Sequence, residues 1–192
     1  TGWPGGKPAA VRAAAGFFFG PARRCRHHRR AGLGDNPAGM TAALPSALRD
    51  LVESRFGQLL ERCRAAGVPF YDDAGVSGHV RRVLAISDFA FDSFHRDPQL
   101  LAPQALALMS DPRPADARAH ELDAGERVEA EQLAQLRRFS RREALRLIWR
   151  DVNGLDEVED TLAGASALAE TCLEAALRWA EASSRHQPRV RK

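Results

Sequence analysis

The sequence is short of sheet-building residues: its 192 residues include two isoleucines and one tyrosine, little material for an extended β-sheet. A mostly helical chain follows. Cysteine is scarce as well. Cys25, Cys63 and Cys172 are odd in number and far apart, which excludes a disulfide framework or a four-ligand zinc site built from this chain alone and fits a reducing, cytoplasmic setting. The longest apolar stretch, residues 13–19, contains a glycine and is followed by Gly20-Pro21, well short of the roughly 20 residues that a membrane span needs. Lys7 and Arg12 precede this patch, but no small-residue cleavage pattern follows it, so it is not read as a secretory signal. Glycine-rich phosphate loops are absent, since neither G-x-x-x-x-G-K-[ST] nor a strand-linked G-x-G-x-x-G occurs. No spacing of Ser, His and Asp fixes a nucleophile beside a base, so a hydrolase triad has no support.

Charge is present but unevenly placed. Residues 1–39 carry seven Lys/Arg against one acid, residues 40–184 carry seventeen Arg against twenty-four acids, and residues 185–192 carry four Lys/Arg. The net charge of +3 therefore belongs to the two ends and is no evidence that the acidic body between them binds nucleic acid. Residues 1–39 follow neither a 2-residue nor a 3.6-residue period. They read as a disordered basic tail, and because Met40 is the first methionine, two origins stay open: translated upstream sequence or a native basic arm. Cys25-Arg26-His27-His28 lacks a fourth ligand and is cramped, so no metal site is assigned.

The body reads as about five helices. Pro45 suits an opening helical position, and Leu48, Leu51, Val52, Phe56, Leu59, Leu60 and Cys63 make one stripe that Gly67 and Pro69 end. A connection is expected over residues 67–78, then a short turn of helix through Val80, Val83 and Leu84. Ser87 is placed to cap the next helix, with Asp88 and Asp92 in its opening turns. Pro98 opens a further helix with Leu100, Leu101, Leu106 and Leu108, and residues 110–124 read as a polar connection. A long helix is expected over residues 125–152, stopped by Asn153-Gly154. Asp156 with Glu159 reads as the capping box of a last helix whose apolar face holds Val158, Leu162, Ala165, Leu168, Cys172, Leu173 and Leu177.

The long helix carries the informative segment. Arg138, Arg142, Arg146 and Arg150 form a ladder four residues apart, a pattern usual on a solvated face. Arg137 and Arg141 share the spacing of Ala144, Ile148 and Val152 and so fall within the expected apolar stripe. There each needs a partner, with Asp88, Asp92 or an acid of another domain as candidates. Two readings stay open, an internal salt-bridge network and a face turned toward another domain or a phosphate.

The run Leu136-Arg137-Arg138-Phe139, Arg141-Arg142-Glu143, Leu145-Arg146, Trp149-Arg150-Asp151 and Gly154-Leu155, followed by Leu168-Ala169-Glu170, Leu173 and Ala176-Leu177, resembles the N-terminal helical region of bacterial bifunctional glutamine synthetase adenylyltransferase/adenylyl-removing enzymes. Val83-Leu84-Ala85-Ile86-Ser87-Asp88-Phe89, with Asp92, His95, Pro98 and Leu101, looks like the same family's early S-D-F segment. The resemblance covers residues 44–182. It implies an enzyme with two nucleotidyltransferase units. One removes AMP from a tyrosine of glutamine synthetase by phosphorolysis, and the other attaches AMP from ATP.

The resemblance further implies Mg2+ and ATP, ADP or phosphate as cofactors of the full-length enzyme, and glutamine synthetase and a PII-type signal protein as its partners. The family's metal-binding motif, G-G-x-x-[x]-S-D-x-D, is not matched: no Gly-Gly precedes Ser87-Asp88, and Ala90 follows Phe89. No catalytic or metal-binding residue is therefore assigned. The expected product is an all-α helical bundle over residues 40–184 with disordered basic ends at 1–39 and 185–192. It lacks the family's α/β catalytic domain and is inactive alone. The family-motif residues Ser87, Asp88, Asp92, Arg137, Arg138, Arg141, Arg142, Arg146, Trp149, Arg150 and Asp151 are candidates for a face toward that domain. Two alternatives stay open, a free-standing helical interaction module and a nucleic-acid binder acting through its basic ends.

Overall fold

The computed structural model describes residues 44–70, 74–112, 116–122 and 128–186. The readings of residues 1–39, including the Cys25-Arg26-His27-His28 patch, lie outside them, as do residues 187–192. The described residues form six α-helices and two 3₁₀ helices, with no strand among them. The chain divides into two compact units, Thr1–Asp111 and Pro112–Lys192.

In the first unit, α1 (Ser46–Ala65) buries Val52, Phe56, Leu59 and Cys63, a spacing that keeps one stripe inward. Leu51, expected in that stripe, is 44% exposed. The helix ends in a Schellman turn: Gly67 takes φ +65, the Val68 amide donates to the Cys63 carbonyl at 2.9 Å, and the Gly67 amide donates to Arg64 at 3.1 Å. α2 (Ala74–Ile86) begins inside the expected connection. Its Gly75, Ser77 and Gly78 are weak helix formers and mimic a loop in the sequence, but burial of Val76, Val80, Val83 and Leu84 outweighs that propensity.

α3 (Asp88–Arg96) starts as expected, with the Ser87 hydroxyl accepting from the Ala90 amide at 3.2 Å. The helix expected from Pro98 is two pieces, a 3₁₀ turn Pro98–Leu101 and α4 (Pro103–Met109). Ala102 between them is extended, as the residue before a proline prefers. Met109 is buried there and Leu108 is not. Arginines tie the elements together: Arg55 donates to the Leu84 carbonyl at 3.2 Å and to Asp88 at 2.6 Å, and Arg81 forks onto Glu53 over the Phe56 ring.

The second unit is a helical hairpin, α5 (Glu129–Val152) against α6 (Val158–His186), with a 3₁₀ turn Asp116–Leu122 packed on both. That turn lies within the expected polar connection, and its Leu122 joins Phe139 and Ala175 in a core flanked by Leu136, Leu168, Cys172 and Trp179. Asn153-Gly154 stops α5 as expected, with Gly154 at φ +66 and the Leu155 amide donating to the Arg150 carbonyl at 2.8 Å. α6 runs through His186, past the expected boundary at residue 184.

The apolar face expected on α6 is corrected. Gly164, Thr171 and Ala175 are its buried positions, while Leu162, Leu173 and Leu177 are 63%, 71% and 61% exposed. The small residues admit α5 closely, so a Cβ built on Gly164 would lie 2.6 Å from the Leu147 side chain.

Candidate functional site

α5 contributes a row of charged side chains that point inward. Glu143, Arg146 and Arg150 are 1%, 3% and 5% exposed, so two members of the arginine ladder expected on a solvated face lie in the interior. Arg138 lies outside, as the ladder reading expects, whereas Arg137 lies outside against the spacing that placed it in the apolar stripe, and Arg141 is half-buried. The reason is pairing: a buried guanidinium is tolerated when a carboxylate meets it with good geometry.

The Arg146 Nε donates to Glu143 Oε2 at 2.9 Å, one turn earlier on the same helix. Arg150 grips Asp156 with two bonds, Nε to Oδ2 at 2.8 Å and Nη2 to Oδ1 at 2.5 Å, and Nη2 also reaches the Leu155 carbonyl at 3.2 Å. Arg142 is half-buried, pairs with Glu121 of the 3₁₀ turn and lies 3.9 Å from Glu143. Asp156, expected to cap α6, is thus committed to Arg150. Its capping place is taken one residue on, where the Glu157 amide donates to Asp160 at 3.3 Å.

The Schellman turn builds this site. By reversing the chain at Gly154 it brings Leu155 and Asp156 back against Arg150. Arg146, Leu147, Arg150, Asp156, Asp160 and Gly164 are among the residues that line a cleft of about 490 Å³ in this unit. Its two guanidinium groups face as many carboxylates, so the cluster ties the end of α5 to the turn that follows it and offers no uncompensated positive charge for a phosphate. Trp149 is fully buried beside it in sequence, and Asp151 is exposed.

Ser87, Asp88 and Asp92 belong to the first unit. Ser87 caps α3, Asp88 pairs with Arg55 of α1, and Asp92 is exposed. Glu121, Glu143 and Asp156, which complete the pairs, were not singled out as site residues. Only the need of each buried arginine for a carboxylate could have found them. Both described thiols are quiet: burial pushes Cys63 up from the ordinary thiol value. Burial also raises Cys172, against a lowering hydrogen bond with Ser140, and the nearby Glu143 charge raises it further.

The family model described as glutamate-ammonia ligase adenylyltransferase matches residues 77–190, a span from α2 through the whole of the paired-arginine hairpin. Among curated relatives, a bifunctional glutamine synthetase adenylyltransferase/adenylyl-removing enzyme of Xanthomonas campestris pv. campestris is 39% identical over 152 residues, 77% of this chain and 15% of the relative. Its counterpart in Stenotrophomonas maltophilia is 40% identical over 136 residues, 71% and 13%, and that of Shewanella loihica is 29% identical over 141 residues, 71% and 14%. The chain thus spans about a seventh of the length of the relatives it matches. No solved structure matches it. Since the family match takes in more than half of its residues, including the hairpin and its buried ion pairs, the chain belongs to the glutamate-ammonia ligase adenylyltransferase family.

Proposed function

We propose that residues 40–184 are the helical support region of the adenylyl-removing unit of a bifunctional enzyme that regulates glutamine synthetase in nitrogen metabolism, and that this region is inactive alone. One observation carries the reading: relatives named for both activities match most of this chain with a small part of their own length. The paired arginines support it, because a network that compensates itself serves a scaffold. Exposed Arg137 and Arg138 supply a face for the catalytic domain.

Among the described residues no three His, Cys, Asp or Glu side chains converge to hold a metal, so no transfer step is assigned to them. Mg2+ and ATP, ADP or phosphate belong in this reading to the full-length cytoplasmic enzyme, with glutamine synthetase and a PII-type signal protein as its partners. The test incubates the purified chain with adenylylated glutamine synthetase, phosphate and Mg2+. No ADP release is expected, whereas turnover that survives removal of full-length enzyme overturns the support role.

A further inference from the structure

We infer that the exposed face of α6 is a docking surface for a basic amphipathic helix supplied by the part of the family polypeptide that this chain does not span. The inference rests on the support-region reading. At 100° per residue, Val158, Leu162, Ala169, Leu173, Ala176 and Leu177 fall on one side of α6, opposite the buried positions Gly164, Thr171 and Ala175.

Three of these leucines are more than half exposed. A helix of 29 residues that has already buried one face on α5 keeps a second apolar stripe, the pattern of a helix with two partners. The family match covers α6, and the relatives have about six times as much chain elsewhere to supply a second partner.

Charge selects the kind of partner. Glu159, Glu170 and Glu174 line one edge of the stripe, all three exposed, and the cation nearest them along that edge, Arg178, stands one turn beyond Glu174 toward the helix end. An occupant whose flank carries Lys or Arg meets this edge favourably, as in helix-in-groove and coiled-coil pairing. A second copy lying antiparallel would set glutamates against glutamates, which disfavours self-pairing.

Two 21-residue amphipathic helical peptides with the same leucine register serve as probes, one flanked by Lys and the other by Glu. The intact chain is titrated with each by fluorescence anisotropy, and its mass is followed by sedimentation. The Lys-flanked peptide is expected to bind about tenfold more tightly than the Glu-flanked one, as three surface ion pairs imply, with the advantage shrinking as salt rises. Reversing the edge with Glu159→Lys, Glu170→Lys and Glu174→Lys is expected to invert the preference, and Leu173→Asp to abolish binding while the circular dichroism stays helical. Equal affinity for the two peptides, binding of neither, or a dimer of the chain that Leu173→Asp dissolves would each overturn the inference. The support-region reading fails by a different result, ADP release from adenylylated glutamine synthetase.

Discussion

A guanidinium taken out of water keeps its charge and must find a partner inside the protein, so Arg150 and Asp156 stand or fall together. Their side chains are 6% and 11% exposed. Arg150→Met removes one partner and leaves a nearly buried carboxylate, and the expected loss is about 3 kcal/mol, the low end for a broken buried pair. Arg137, more than three turns away on the exposed side of the same helix, is the control. Arg137→Met is expected to stay within about 0.5 kcal/mol of the parent. Urea midpoints at equal slope decide both, and a loss at Arg137 equal to that at Arg150 would contradict the burial pattern.

Among the elements, two glycines in open surroundings respond in opposite directions to the same change. Neither Gly57 nor Gly154 has an atom within 4 Å of an added Cβ, so the backbone alone sets the sign. Gly154 holds φ +66, where a side chain costs about 1–2 kcal/mol, so Gly154→Ala is expected to destabilise by about that much. Gly57 lies inside α1, where alanine is the better helix former by roughly 0.5–1 kcal/mol, and Gly57→Ala is expected to stabilise. Thermal melts of the two variants should move to opposite sides of the parent.

Such local signals are what the sequence made readable. Pro45, Ser87 and Asn153-Gly154 bound their helices as expected because each acts on its own backbone neighbours. The inward face of α5 was not readable in the same way. Periodicity treats charge as outward, and the shared spacing of Ala144 and Ile148 places Arg137 and Arg141 on the inward stripe. In the structure the inward positions belong to Phe139, Glu143, Arg146 and Arg150. Glu143 and Arg146 do pair at short range, but which ladder members turn inward depends on the packing of α6 and the 3₁₀ turn. On α6 the misleading signal was size: leucines outweighed Gly164, Thr171 and Ala175, although small residues are what a close helix crossing requires.

For the whole molecule, all of the regular patterning lies between residues 44 and 186, whereas the excess of positive over negative charge lies beyond it. A chain trimmed to those residues is expected to keep its helical ellipticity and a cooperative melt within a few degrees of the parent. Loss of cooperativity on trimming would mean that the ends take part in the fold. In the hairpin, Arg150 and Asp156 are six residues apart, whereas the helices that they join are 24 and 29 residues long. Closing so short a loop costs little entropy, so the ion pair and the Gly154 turn are poised to form before the helices have aligned along their length. The hairpin would then zip from its bend outward, and the slower step in Arg150→Met would be refolding rather than unfolding, visible as a lowered folding limb in its chevron.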